Sequence, residues 1–384
     1  MAADEFIMFH RPSLGAAEEG AVLEVLRSGW LTTGPRTEAL ESRFAAFRGT
    51  RHAIATNSCT AALHLALLAL GVGRGDEVVT TPITFASTAN VIVHCGATPV
   101  FCDVQPDTLN MDPQALAAAV TTRTRAIVVV HFAGHPCDMD EIAAIGARHG
   151  VPIVEDAAHA IEAEYRGRPV GALGAAAAFS FYATKNITCG EGGMLTSNDA
   201  AIAAAARPLA LHGISRDAWQ RYGEEGYRHW DIVAPGFKYN MSDIQAALLN
   251  AQLDRVDDFW RRRRTLVDLY DEALAGERGL LLMSRREYVK PSHHLYVVRV
   301  TPDAGLTRDQ FMNAVQADGV GVGVHFRAVH LHPYYRETFG FRAGMFPVAE
   351  AAGESVVSLP LYPSLTEREL ERVVDVSTTV LRSV

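Results

Sequence analysis

Apolar positions along the chain change their spacing repeatedly, and the changes predict a run of alternating elements. "TEALESRFAAFRG" (37–49) places apolar residues at helical intervals and ends on Gly49. "HAIAT" (52–56) is short and strand-like, and "CTAALHLALLALGVG" (59–73) predicts an Ala/Leu helix closed by Gly71 and Gly73. The alternation continues through "DEVVTTP" (strand), "FASTANVIVHCG" (helix), "TPVFCDV" (strand) and "DPQALAAAV" (helix). It runs on through "RAIVVVHFAG" (buried strand), "DMDEIAAIGARHG" (helix) and "VPIVED" (strand). Repetition of this kind means βαβ units, and so a mostly parallel sheet covered by helices.

The texture then changes twice. "AAAFSFYAT" and "GGMLTS" predict two strands joined by a loop too long for a tight hairpin, and Lys185 lies in that loop. Folds of this kind place ligands beyond the carboxyl ends of the strands, so the lysine stands where chemistry is expected. A long helical stretch follows, from roughly Met241 to Ala275. After it come "HHLYVVRV" (strand), "TRDQFMNAVQADG" (helix), "VGVGVHF" (strand) and a closing helix, "TERELERVVDVSTTVLRS". The expected class is α/β, with a large domain over 1–255, whose N-terminal segment lies near the active site, and a smaller α+β domain over 256–384. No internal repeat or low-complexity segment interrupts it.

Composition narrows the function. Of the chain's 384 residues, 48% are hydrophobic and 21% charged, as in ordinary globular enzymes. A net charge of −9 argues against a nucleic-acid partner. The run Arg261–Arg264, with Asp254, Asp257 and Asp258 upstream, is expected to be a solvated helix face. Five cysteines without a CxxC spacing predict neither a disulfide framework nor a zinc site, and no metal is expected. "MAADEFIMFHRPSLG" lacks a basic segment followed by an apolar one, and apolar runs are broken before membrane-spanning length. The expectation is a cytoplasmic protein with no membrane partner.

Only three of the 35 basic residues are lysines, and one is Lys185 in the polar, glycine-rich "SFYATKNITCGEGGM". A primary amine forms Schiff bases; a guanidinium does not. A pyridoxal phosphate (PLP) enzyme also needs an acid for the pyridinium, a phosphate cup and a ring to stack on the cofactor. Asp156, ending the apolar "VPIVED", suits the first, because a carboxylate at a buried strand end requires a cationic partner. "NSCTAALHLAL" suits the second: small polar residues open a helix whose free N–H groups and dipole attract an anion, with Thr60 and Ser180 adding hydroxyls. Phe85, at a strand-to-helix turn, is the candidate ring, and His159 lies three residues beyond Asp156. Read singly, Asp156 is also a helix cap, Ser58 or Thr60 a plain N-cap, Phe85 a core aromatic and His159 a surface histidine.

Taken in order, several long stretches give the chain a specific resemblance to the DegT/DnrJ/EryC1/StrS family of PLP-dependent sugar aminotransferases. They are "SGWLTTGPRTEALESRFA", "NSCTAALHLALLALGVGRGDEVVTTPITFASTANVI", "GATPVFCDV", "VEDAAHAI", "FSFYATKNITCGEGGM", "GFKYNMSDIQAALLNAQL", "HFRAVHLHPYY" and "SLPLYP". The resemblance implies the aspartate-aminotransferase fold (PLP fold type I) and a homodimer with shared active sites. It implies Lys185 as the Schiff-base lysine and proton carrier, and Asp156 as the pyridinium partner. Thr60, Ala61 and Ser180 become phosphate contacts, Phe85 the stacking ring, and Asn240 a contact to the partner subunit's cofactor. L-Glutamate is the implied donor, with pyridoxamine phosphate as the intermediate cofactor form.

"DAAHA" and "TKNITCGEGG" resemble members that aminate sugar C4, including the enzyme making UDP-4-amino-4-deoxy-L-arabinose; amination of a 3-keto sugar is the alternative. The carrier, UDP or dTDP, stays open, as does the pathway, cell-envelope glycan or antibiotic. Family members often follow "DAAHA" with glycine, whereas this chain reads "AIEAEYRG", so Glu162 and Glu164 are expected to alter the local surface. Trp30, His325, Arg327 and His330 are candidate substrate contacts. Two rivals remain: a metal-dependent hydrolase built on "HFAGH" and "HFRAVHLH", and a PLP-binding regulator without turnover.

Overall fold

A computed structural model describes residues 6–215 and 230–383. The chain opens with helices α1 (Ala16–Ser28) and α2 (Pro35–Arg48). It then alternates β1 (His52–Thr56), α3 (Cys59–Ala69), β2 (Glu77–Thr80), α4 (Ala86–His94), β3 (Thr98–Phe101), α5 (Pro113–Ala119), β4 (Thr124–Val130), α6 (Met139–His149) and β5 (Ile153–Asp156). The short strands β6 (Glu164–Tyr165) and β7 (Arg168–Pro169) precede β8 (Ala176–Ser180) and β9 (Gly193–Ser197).

Seven strands form one sheet in the order β1-β9-β8-β5-β4-β2-β3. Only β9 runs against its neighbours β1 and β8; all other pairs are parallel. The carboxyl ends of β1, β8, β5, β4 and β2 therefore share one edge. Alternation along β4 explains why its run is apolar throughout: Ala126 and Val128 pack into one core, Ile127 and Val129 into another. The first of these cores also takes Leu63, Leu65 and Leu67 of α3, a helix apolar on every side because it lies between the sheet and α7 (Ala200–Ala210).

Beyond the sheet come α8 (Asp243–Leu253) and α9 (Val256–Leu274), then β10 (Leu280–Leu282), β11 (Val289–Lys290) and β12 (Tyr296–Val300). Helices α10 (Arg308–Ala317), α11 (Pro333–Phe339) and α12 (Pro347–Ser355), strand β13 (Val356–Leu359) and helix α13 (Glu367–Arg382) complete the chain. Strands β10-β12-β13 form a separate antiparallel sheet. Its core joins Leu266, Val267 and Tyr270 of α9 with Val298, Phe311 and Val373. Ile7 packs there too, although it stands at the other end of the chain. Val256 and Phe259, in the first turn of α9, pack instead with the large-sheet core.

Four expectations are corrected. The helical stretch expected from Met241 to Ala275 is two helices, because Arg255 leaves helical geometry and redirects the chain from one core to the other. The expected strand "VGVGVHF" makes only isolated bridges, Val320 with Ile7 and Gly323 with Ser358. The run Arg261–Arg264 is not uniformly solvated: Arg263 is 1% exposed and paired with Glu162, also 1% exposed as a side chain. Glu162 is thus buried and does not alter the surface. Among the described residues, no helix is long and apolar enough to cross a membrane.

Candidate active site

Asp156 ends β5, Ser180 ends β8, Ser58 follows β1, and Phe85 caps the N-terminus of α4, so the sheet topology brings all four to one edge. The loop after β8 is pinned at both ends. Phe181 N–H donates to Gly192 O (2.9 Å), and Lys185 N–H donates to Tyr182 O (2.9 Å). Gln252 of α8 accepts from Thr188 N–H (2.8 Å) and donates to its carbonyl (2.7 Å), clamping the loop from below.

Lys185 is half-buried as a residue. Loss of hydration lowers its pKa to about 8, against opposing influences that include the Asp156 carboxylate. Asp156 is buried; desolvation raises its pKa, while hydrogen bonds from Thr88 Oγ1 (2.7 Å) and Ala158 N–H (3.1 Å) and the charge of Lys185 oppose the rise. Thr88 is itself fixed by Thr84 (2.7 Å). A carboxylate held this way is aimed, and it remains costly until a cation joins it.

Helix α3 begins with Ser58 as N-cap, its Oγ accepting from Ala61 N–H at 3.1 Å. Here the structure departs from expectation: the Ala61 amide is engaged by the cap, whereas the first-turn N–H groups of Cys59 and Thr60 have no carbonyl within the helix to bond. Close approach of α3 to the sheet depends on Gly193. A Cβ there would lie 2.3 Å from the Ser58 carbonyl carbon.

Phe85 is 65% exposed, an unusual state for a ring at a sheet edge. His159 is buried, its ring 4.5 Å from that of His294, and its Nδ1 has no partner within the chain. Ser180 is half-buried, its Oγ 3.4 Å from Tyr182 N. Asn240 donates to Thr33 Oγ1 (2.6 Å), leaving a buried, unpartnered Oδ1.

The candidate substrate contacts divide. His325 bonds Ser358 Oγ (2.8 Å); burial, with Lys185 adding to it, lowers its pKa to about 4. Arg327 is exposed, and Trp30, 41% exposed, donates to Thr33 O (3.1 Å). His330 is corrected: it is fully buried against Phe101 and Phe346, with Nε2 on Glu350 (3.0 Å) and an unpartnered Nδ1 that is buried as well, so neither ring nitrogen is open to a ligand in this chain. The histidines of "HFAGH" are likewise engaged, His131 by Glu155 (3.0 Å) and by Cys137 N–H (3.1 Å), and His135 by Pro136 O (2.8 Å) and Arg286 N–H (3.1 Å). Among the described residues no cluster of metal-ligating side chains forms.

Sequence reasoning missed Thr88, Asn186 and His294. His294 Nε2 lies 3.5 Å from Lys185 Nζ, and Asn186 bonds its other ring nitrogen. The only sequence signal was the paired histidines of "HHLYVVRV".

An amine with depressed pKa, a buried acid awaiting a cation, a free helix N-terminus and an exposed ring along one sheet edge are the parts a fold type I PLP-dependent enzyme would use. Comparison with known proteins agrees. The chain belongs to the DegT/DnrJ/EryC1/StrS aminotransferase family, the match spanning residues 12–377. It is 47% identical over 374 residues to the spore coat polysaccharide biosynthesis protein SpsC of Bacillus subtilis, covering 97% of this chain and 96% of that one. The putative sugar aminotransferase Spr1654 from Streptococcus pneumoniae, solved in PMP and PLP forms, superposes with a TM-score of 0.92 for the PMP form. That comparison has 35% identity and covers 98% of this chain and 99% of that one. Helicobacter pylori PseC, an aminotransferase in pseudoaminic acid biosynthesis, superposes at 0.92 with 27% identity, covering 99% of this chain and 100% of that one. The protein is a PLP-dependent sugar aminotransferase.

Proposed function

We propose that the enzyme moves an amino group from L-glutamate to the 4-keto carbon of a nucleotide-linked sugar, acting as a homodimer. The observation that carries this reading is the placing, at one sheet edge, of a desolvated Lys185 amine and the buried, Thr88-oriented carboxylate of Asp156. Support for C4 comes from the resemblance carried by the "DAAHA" histidine, His159, whose ring lies 4.5 Å from that of His294 beside Lys185.

Bound PLP supplies an electron sink conjugated to the carbon that exchanges its proton. Lys185 Nζ carries that proton, because an amine with a pKa near 8 is present in both charge states near neutral pH. Asp156 balances the ring nitrogen's charge, and Thr88 keeps its oxygen aimed. The Cys59 and Thr60 amides, with the α3 dipole behind them, and the Thr60 and Ser180 hydroxyls are the groups that would hold the phosphate. Phe85 offers an exposed apolar face to one side of the ring. His325, Arg327 and Trp30 are proposed to meet the donor carboxylate or the sugar nucleotide. Asn240 Oδ1, unpartnered in one chain, suits a role across the dimer. Leu23, Leu26, Trp30 and Leu31, all exposed along α1 and its following turn, support an apolar subunit contact. The division at 255/256 is retained as a proposal, with Ile7 assigned to the smaller unit and the first turn of α9 to the larger.

The test is the visible spectrum. The yellow band of the PLP-loaded protein is expected to bleach with L-glutamate and to return with a nucleotide-linked 4-keto sugar, but not with a 3-keto sugar. A band indifferent to glutamate would sink the donor assignment, and recovery only with the 3-keto sugar would overturn the regiochemistry.

A further inference from the structure

We infer that His294 is a further catalytic residue, its Nε2 accepting a hydrogen bond from the Lys185 amine in a tautomer fixed by a buried chain from Arg263 through Glu162 and Asn186. The inference rests on Lys185 being the reacting amine.

The chain begins at a fully buried ion pair. Arg263 Nη2 donates to Glu162 Oε1, both side chains being 1% exposed. The other oxygen, Glu162 Oε2, accepts from Ser292 Oγ and from Asn186 Nδ2 (2.7 Å). A carboxylate has no proton to give, so the Asn186 atom facing it is the NH2 group. The Ser292 carbonyl, 3.1 Å from the same atom, imposes the same choice. Asn186 Oδ1 is thereby turned to His294 Nδ1 at 2.9 Å, and an oxygen acceptor requires Nδ1 to carry a proton.

A neutral imidazole has one such proton, so Nε2 is left with its lone pair, and that atom faces Lys185 Nζ at 3.5 Å. Neutrality follows from surroundings. Burial lowers the His294 pKa far below its ordinary value, and Lys185, His159, His325 and His10 push the same way. Around Lys185 itself stand Asp156 and Cys59, and His10, His159 and His325 also lie near enough to feel its charge. Every link passes on one piece of information, which side of the next group is the donor. Glu162 therefore acts on the amine through two intervening residues, as a positioning residue, while His294 touches the reacting nitrogen.

The sign of the effect is fixed by the tautomer. An acceptor at Nε2 favours the ammonium form of Lys185, so its removal lowers the amine's pKa; a donor there would do the reverse. Full-length, cofactor-free protein carrying 15N-labelled histidine gives the first readout, with His294 assigned from the signals lost in His294→Gln. A protonated Nδ1 and an unprotonated Nε2 are expected at neutral pH. The second readout is the pH dependence of Lys185 labelling by an amine reagent, followed by peptide mass spectrometry. His294→Phe is expected to lower its midpoint by about half a unit to one unit, the worth of one hydrogen bond. Asn186→Leu removes the acceptor facing Nδ1, so with the Lys185 amine deprotonated the His294 proton is expected to move to Nε2.

A protonated Nε2 in the native protein, or a midpoint that rises or stays put in His294→Phe, overturns the role of His294. Retention of the native tautomer in a folded Asn186→Leu, with the Lys185 amine deprotonated, overturns the buried chain. If that variant does not fold, the native spectrum and His294→Phe still decide the matter. None of these readouts requires turnover. A protein that ignores glutamate yet shows the expected tautomer refutes the proposed reaction alone.

Discussion

Gly193→Ala tests whether the start of α3 is the phosphate cradle. A methyl at Gly193 would lie 2.3 Å from the Ser58 carbonyl carbon, 2.4 Å from its oxygen and 2.5 Å from Cys59 N. Ordinary contact begins near 3.4 Å, so the deficit is about 1 Å. All three atoms are backbone, and no rotamer relieves them. Strand β9 is hydrogen-bonded on both sides, to β1 and β8, and cannot retreat. The displacement therefore falls on Ser58, Cys59 and the free amides behind them. Misplacing site groups by about 1 Å costs on the order of a hundredfold where geometry is being read, and overpacking costs about 1–3 kcal/mol of stability. The variant is expected to bind PLP roughly 10- to 100-fold more weakly, measured by titrating cofactor-free protein and following the visible band, with a melting point lowered by only a few degrees. Unchanged affinity, with or without a lower melting point, would refute the assignment of the α3 N-terminus to the phosphate.

Lys185 has a folded pKa of about 8 against 10.5 unfolded, so the unfolded chain binds the extra proton between those values and stability of the cofactor-free protein rises with pH across that window; Lys185→Met is expected to remove this rise in urea unfolding. Asp156 has a raised folded pKa, so its stabilising contribution is lost as pH climbs through that pKa and the carboxylate burdens the cofactor-free fold at neutral pH. Asp156→Asn is therefore expected to raise the melting point without cofactor while weakening PLP binding, and a lower melting point would contradict this. Phe85→Ala removes a mostly exposed ring, so unfolding free energy should change by no more than about 0.5 kcal/mol while PLP affinity falls. Glu162→Ala and Arg263→Met each strand a buried charge and should cost about 3–5 kcal/mol, whereas the double variant should cost less than their sum; additivity in a double-mutant cycle would show the pair uncoupled.

Legibility followed locality. Strand and helix runs from α2 to β5 are written in the periodicity of adjacent residues, and β8, its loop and β9 stand where the apolar pattern placed them, whereas α1 was not read. The break between α8 and α9 carries no glycine or proline, because it answers to two cores that the local sequence does not see. "VGVGVHF" alternates correctly for a strand, yet its neighbours are the distant Ile7 and Ser358, which offer one bridge each rather than a ladder.

In the site the same rule takes a chemical form. Lys185 was readable because lysine is rare here, three residues among 35 basic ones, so its presence in a glycine-rich loop carried information. Arg263 was unreadable for the converse reason: one arginine among 32, inside a run of four, looks like solvated surface. What distinguishes it is Glu162, which lies 101 residues away in sequence, and the carboxylate shows its importance only through what it orients. Asn186 and His294 are likewise common residues whose meaning is positional. A sequence declares the group that does unusual chemistry, while the groups that set its protonation are ordinary until the fold brings them together. Substitutions along Arg263, Glu162 and Asn186 should therefore change the pH behaviour of Lys185 before they change what the enzyme binds.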